Sequence, residues 1–460
     1  MKLKTPFLSF VAMAAATFAT AADTKPNFVF ILADDLGYGD IGSFGQRQIR
    51  TPHLDRLATQ GTRFTDAYAG TSVCAPSRCV LMTGLHTGHA RVRGNSAQPL
   101  VQSIRADDVT IAQVLKPAGY TSALIGKWGL GDLGTSEAGL PTRHGFDLFF
   151  GYLNQSHAHN SYPSFLVRNE TKVPLANIVP DERPNGTGVS SNKAVFAEDL
   201  FIREALDFVR ASRAKPFFLC FTPTIPHANN ESKPLGLEVP DLGEYAKRDW
   251  PESAKAYAAM VTRLDRDVGQ ILDLLKELGL EQNTLVIFTS DNGPHREGGN
   301  DPDFFHSSGP LRGIKRDLYE GGMREPTIAR WPGHVPAGAT SAAPWYFADV
   351  LPTFAEFAGA KTPAGLDGVS VAPALLGRAQ PALAERFLYW EFYEGGFKQA
   401  ARRRNWKAVR PKLDGPIEIY DLTNDLGEKH DVAAQRPDVV AEFEKFLRTA
   451  HIDAPEWPVR

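Results

Sequence analysis

A doubly wound α/β fold is what this 460-residue sequence predicts: a large mixed sheet flanked by helices, followed by a smaller C-terminal α+β domain with an antiparallel sheet and one helix. Three observations carry that prediction. Short apolar runs recur up to Asn292, and each ends in a polar or charged residue. Amphipathic helical stretches lie between them. Beyond about residue 365 the pattern changes to short strands of antiparallel type.

The apolar runs justify the sheet. Asn27 to Leu32 leads into Asp34 and Asp35, Tyr120 to Ile125 into Gly126 and Lys127, Pro216 to Phe221 towards Pro226 and His227, and Thr284 to Thr289 into Asp291 and Asn292. Unbroken apolar runs suit strands covered on both faces by helices. The clearest helix spans Glu252 to Leu278, with Tyr257, Met260, Val261, Leu264, Val268, Ile271, Leu272 and Leu275 on one face. Pro251 stands near its start and Gly279 at its end, as helix boundaries prefer. In such folds ligands bind beyond the carboxyl ends of the strands, where all four polar termini fall. The stretches 169–193 and 228–250 read as loops. Arg386 to Phe392, Lys398 to Val409 and Ile417 to Asp421 read as antiparallel strands, and Asp438 to Ala450 as a closing amphipathic helix. The expected division is a leader over 1–22, a catalytic domain over 23–364 and a C-terminal subdomain over 365–460.

Composition excludes several classes. Apolar content of 43% with 22% charged residues is globular. A net charge of −3 argues against nucleic acid or an anionic membrane surface as partner. Residues 1–22 carry Lys2 and Lys4, an apolar stretch from Phe7 to Ala16, and the small-residue cleavage site Ala19-Thr20-Ala21. The apolar stretch is too short to span a bilayer, so an exported protein, periplasmic or extracellular and without a membrane anchor, is expected. Three cysteines, Cys74, Cys79 and Cys220, make no disulfide framework. Cys79 and Cys220 read as core residues. The sequons at Asn154, Asn169, Asn185 and Asn230 bear only on a glycosylating host.

The chemistry concentrates in a few places. Ser72 to Gly84 holds Cys74 two residues before Pro76 and four before Arg78, where a loop runs into a helix. A helix N-terminus and an arginine favour a thiolate nucleophile; the plainer reading is a small buried residue. Asp34, Asp35, Asp291 and Asn292 offer only oxygen, a set that suits Ca²⁺ better than the strict octahedron of Mg²⁺, although Asx turns use the same residues. Arg78, Lys127 and Lys315 supply positive charge beside glycine-rich turns and strand ends. His227, with an ordinary pKa near 6.5, is suited to general acid catalysis. His157 and His159 lie in a polar, aromatic loop, where contact with a sugar or with a metal are both open, and Trp390 and Glu391 are open to a sugar contact or to interdomain packing.

The segment Cys74-Ala-Pro-Ser-Arg-Cys-Val-Leu-Met-Thr-Gly84 resembles the signature of the type I formylglycine-dependent sulfatases, arylsulfatase-like members of the alkaline phosphatase superfamily. Gly119 to Gly129 resembles the second signature of that family, Leu311 to Glu325 its late lysine segment, and Ile419 to Asp425 its C-terminal domain. The resemblance implies a sulfuric ester hydrolase, with a saccharide sulfate as the expected substrate. It implies conversion of Cys74 to formylglycine by a maturation enzyme, with Arg78, Lys127, His227 and Lys315 catalytic. It also implies a metal, Ca²⁺ rather than Mg²⁺, held by Asp34, Asp35, Cys74, Asp291 and Asn292, and substrate contacts from His157 and His159. A hydroxyl of the hydrated aldehyde attacks sulfur while His227 or Lys315 protonates the ester oxygen, and the aldehyde then reforms with release of sulfate. Gly129 departs from the family, many members of which carry histidine there, and this leaves the base for the second step unassigned. A phosphonate or phosphate ester hydrolase of the same superfamily is the alternative, and an inactive sulfated-glycan binding protein a more distant one.

Overall fold

The computed structural model describes residues 25–95, 101–134 and 137–459; the expected leader lies outside them. Ten strands form one mixed sheet. In spatial order they are Ala339–Ser341, Thr62–Phe64, Thr327–Arg330, Thr284–Ser290, Asn27–Ala33, Phe217–Thr222, Thr121–Lys127, Leu148–Tyr152, Phe165–Arg168 and Thr171–Pro174. The five strands from Thr284–Ser290 to Leu148–Tyr152 run parallel, and antiparallel pairs flank them on both sides.

Asn27–Ala33 shows why the apolar runs are continuous. Phe28, Phe30 and Leu32 belong to the core on one side of the sheet, and Val29, Ile31 and Ala33 to the core on the other. On the first side Phe354, from helix Val350–Ala358, stacks on Phe28 at 4.3 Å and meets Phe30 and Phe218 edge-on. On the second side lies helix Glu252–Glu277, whose predicted apolar face is buried throughout. Register then sets the site. Ala33 pairs with Ser290, so Asp34 and Asp291 leave adjacent strands at the same level.

Two expectations are refined. The stretch 169–193 contains the strand Thr171–Pro174, because Asn169 adopts φ 54° and reverses the chain into a hairpin with Phe165–Arg168. Lys398 to Val409 is two strands, Lys398–Arg403 and Trp406–Arg410, turned at Arg404, φ 55°. With Leu388–Phe392 and Glu418–Asp421 they form the four-stranded antiparallel sheet, closed by helix Pro437–Leu447. Among the described residues no helix is long and apolar enough to cross a membrane.

A buried ionic cluster joins the two sheets. Lys407, fully buried on the C-terminal sheet, donates to Glu320 Oε1 at 2.9 Å, and Tyr68 Oη and Arg324 donate to Glu320 Oε2. Burial opposes charge on Glu320, yet Lys407 and Arg324 outweigh it and lower its pKa to about 2. Burial raises its neighbour Glu428 to about 7. Removing Lys407 leaves Glu320 Oε1 buried without its donor while Arg324 and Tyr68 still hold Oε2, so Lys407→Ala is expected to cost about 1–3 kcal/mol. The shift in the urea unfolding midpoint, at unchanged slope, measures this.

Candidate active site

The site forms where the parallel strands end. Asp34 and Asp35 follow the central strand; the Asp291 amide donates to Ala33 O at 3.0 Å, and the Asp35 amide to Asp291 Oδ1 at 3.1 Å. Asp35 itself adopts φ 67°, which turns the two carboxylates in different directions. Asn292 Nδ2 donates to Asp35 Oδ1 at 2.7 Å. All four residues are fully buried.

Helix Cys74–Thr83 enters from the sheet's first side with every residue buried. Ser77 Oγ accepts the Gly70 amide, and Gly84, φ 71°, ends the helix by donating to Val80 O. Cys74 stands at the helix start, and its thiol donates to Asp34 Oδ1 at 3.4 Å. Burial pushes that thiol far above its usual pKa, and Asp34 and Asp291 add to the rise while Lys127 only partly offsets it. Burial therefore works against the thiolate reading of an unconverted Cys74.

Three cations face the carboxylates from three different segments. Arg78 donates from Nε and Nη2 to Asp291 Oδ2, at 2.9 and 2.7 Å, and from Nη1 to the Lys127 carbonyl. Lys127 Nζ lies 2.7 Å from Asp34 Oδ2, and Lys315 Nζ 2.7 Å from Asp35 Oδ2. Burial penalises the charge on Asp34, but Lys127, His227 and Arg78 together hold its carboxyl well below the ordinary range. Asp291 behaves oppositely: burial and the Asp34 charge raise it to about 7 despite Arg78.

His227 donates from Nδ1 to Ala228 O at 2.7 Å, which leaves Nε2 as an acceptor 3.3 Å from Lys315 Nζ. Burial and the Lys315 cation lower its pKa to about 3. The imidazole is neutral, and the proton nearest the site resides on Lys315, whose pKa is held well above the usual value because Asp35 and Glu297 outweigh the burial penalty.

Of the histidine pair, His159 lies against the site, its ring stacked on His227 at 5.2 Å and its Nδ1 3.1 Å from Glu231 Oε2. His157 is 1% exposed and enclosed by Tyr152, Phe165 and Gly186, which leaves it no face open to a substrate. Trp390 and Glu391 are fully buried between the domains. His86 and His89 pair with Asp367 past Gly84, at the opposite end of helix Cys74–Thr83 from Cys74. Two neighbours went unread in the sequence. Glu297 Oε2 accepts from Lys315 at 2.9 Å while Oε1 accepts from Arg316, and His295 stacks on the other side of His227 at 6.1 Å. Their one signal is their position, a few residues past Asn292 on the same loop.

The residues fit a hard divalent cation. Asp34, Asp35, Cys74 and His227 present ligand atoms within 4.8 Å of one another, and Asn292 Oδ1 is buried with no hydrogen-bond partner. An unpaired amide oxygen among carboxylates is the donor chemistry such an ion selects.

Buried carboxylates, a cation triad and Cys74 at a helix start, gathered at the end of a doubly wound sheet, suit a site for an anionic ester. The family follows from comparison with known proteins. The sulfatase family pattern matches residues 26–360, and that of the N-sulphoglucosamine sulphohydrolase C-terminal region matches residues 314–452. N-acetylgalactosamine-6-sulfatase of Sus scrofa is 32% identical over 421 residues, covering 87% of this chain and 74% of that protein. Arylsulfatase A of Bos taurus is 36% identical over 395 residues, covering 80% and 71%. The solved structure of Ps i-CgsB in complex with k-i-k-neocarrahexaose superposes with a TM-score of 0.78 at 30% identity, covering 95% of both chains. This chain belongs to the sulfatase family and is a sulfuric ester hydrolase.

All three cysteines are buried, and burial raises Cys79 and Cys220 to about 12. Iodoacetamide at pH 8 is expected to label none of them in the folded protein. In urea Cys79 and Cys220 are labelled, and Cys74 as well wherever it remains unconverted; peptide mass spectrometry reads all three.

Proposed function

We propose that this protein is an exported, periplasmic or extracellular sulfatase that removes sulfate from a sulfated saccharide, using formylglycine made from Cys74 by a maturation enzyme, and Ca²⁺ held by Asp34, Asp35, Asp291, Asn292 and residue 74. The observation that carries the reading is the convergence of Arg78, Lys127 and Lys315 on the carboxylates around Cys74, a set of fixed cationic donors for an ester that is itself an anion. The saccharide part is supported by relatives and neighbours whose names or bound ligands are carbohydrate.

When present, formylglycine supplies a hydroxyl nucleophile and the cation neutralises charge on the sulfate oxygens. The chain's own residues do the rest. Asp34 orients Lys127, and Asp291 orients Arg78, so both donors are fixed before substrate arrives. Lys315 holds the proton that the ester oxygen needs as the bond to sulfur breaks. His227 accepts from Lys315 through Nε2 and fixes its direction, and Glu297 anchors the same ammonium from the other side. His159, stacked on His227 at the rim, faces the saccharide, and His157 holds the loop that carries it.

Sulfate release from defined sulfated mono- and disaccharides tests the proposal. Wild-type protein with converted Cys74 is expected to release sulfate, and Cys74→Ala to lose at least about a thousandfold, the scale of removing a nucleophile. Turnover of phosphate or phosphonate esters without sulfate release would establish the alternative; binding without any turnover would make the chain a glycan-binding protein. Chelation is expected to lower both activity and Tm, with Ca²⁺ restoring them more fully than Mg²⁺.

Lys315→Ala separates the acid from the other cations. Sugar alcohols are poor leaving groups, so kcat on a saccharide sulfate should fall about 10²–10⁴-fold. On 4-nitrophenyl sulfate, whose leaving group needs no proton, the fall should be at least tenfold smaller. Equal losses on both substrates would assign Lys315 a charge role alone.

A further inference from the structure

The strands Thr121–Lys127 and Leu148–Tyr152 run parallel with Lys127 opposite Tyr152, and their pairing continues past the strand ends. The Trp128 amide donates to Tyr152 O and the Gly129 amide to Leu153 O, both at 2.9 Å. Gln155 is thereby carried alongside Gly129, at the wall formed by Arg78 and the end of the Lys127 strand. A Cβ on residue 129 would sit 2.2 Å from Gln155 Nε2 and 3.7 Å from Arg78 Cδ, and φ of 79° disfavours any side chain there. The space that residue 129 leaves open beside Arg78 is filled by the Gln155 carboxamide.

That carboxamide, like Asn292 Oδ1, holds a buried polar atom without a partner. Gln155 is 8% exposed, and its Nε2 is closed to water with no hydrogen-bond partner. Buried amide donors are nearly always paired, so an orphan beside an anion pocket signals a missing acceptor. A sulfate ester supplies acceptor oxygens and no proton, which matches a neutral N–H donor.

Resting on the sulfatase reading above, we propose that Gln155 Nε2 donates a hydrogen bond to an oxygen of the bound sulfate group, and that Gly129 is glycine to admit it. Gln155 is a catalytic contact that does not titrate. It adds selectivity for an acceptor-only anion and takes no proton at any step, so the Gly129–Gln155 pair does not supply the base for reforming the aldehyde.

The test uses the full-length converted enzyme and its Gln155→Ala, Gln155→Glu and Gly129→Ala variants. For each, kcat/KM on a sulfate ester is measured across pH, the affinity for inorganic sulfate by calorimetry, and Tm as a check on folding. Gln155→Ala is expected to lower both kcat/KM and sulfate affinity about 10- to 100-fold, the scale of one hydrogen bond to a charged group. Its pH profile and Tm should be unchanged. Gln155→Glu should lose more, because it sets like charge against the anion. Gly129→Ala should lose as Gln155→Ala does, by displacing the carboxamide. Retention of both kcat/KM and sulfate affinity within twofold in Gln155→Ala overturns the proposal, as does a loss that tracks a fallen Tm. Failure of the wild type to cleave sulfate esters while binding sulfate overturns the sulfatase reading alone, and the contact is then judged by the calorimetric loss. Absence of sulfate binding by the wild type overturns the contact itself.

Discussion

Three carboxylates buried together are the constraint around which this protein is organised. Asp34, Asp35 and Asp291 are fully buried at the end of the central sheet. An isolated buried carboxylate costs several kcal/mol, so each must be met by a cation or lose its charge. The cations come from well-separated parts of the chain. Arg78 is delivered by the nucleophile helix, Lys127 by the neighbouring parallel strand and Lys315 by the loop that precedes helix Glu320–Met323. The charge balance of the site and the docking of those elements are one requirement. Asn292 Oδ1, buried beside these carboxylates without a hydrogen-bond partner, is the physical case for a cation among them.

The same constraint explains what could be read from the sequence. Residues that must sit at strand ends are announced by the strands themselves, so Asp34, Asp35, Lys127, Asp291 and Asn292 were legible from an apolar run and the polar residue after it. Cys74 and Arg78 were legible through the resemblance of Cys74 to Gly84 to the family signature, since a helix start alone left a plain buried cysteine equally open. Glu297, His295 and Gln155 were not, since each lies on a loop whose path depends on contacts far away in sequence. Trp390 and Glu391 show the converse: an aromatic beside an acid suggests a sugar platform, yet here Trp390 Nε1 donates to Ala69 O, and Glu391 is buried beneath Tyr389 and Tyr393.

Those buried contacts give the C-terminal domain its part in the site. Thr71 Oγ1 donates to the Glu391 carbonyl and the Glu391 amide to Thr87 Oγ1. One strand residue thus clasps the chain on both sides of helix Cys74–Thr83. Glu394 reaches Arg316, which in turn holds Glu297 against Lys315. The small sheet is therefore a brace on the nucleophile helix and on the lysine loop.

The disposition of protons around the leaving group follows from that bracing. A histidine is the usual choice for moving a proton near neutral pH, because its pKa lies there. His227 has been taken out of that range by burial beside Lys315, and its Nδ1 proton is committed to Ala228 O. Lys315 is held charged by Asp35 and Glu297, both of which accept from it. In the mechanism proposed above, that proton would become available to the ester oxygen only as the ammonium turns towards it from these two carboxylates. On that proposal, proton donation would be coupled to the seating of substrate beside Lys315, whose ammonium Asp35 and Glu297 otherwise hold between them.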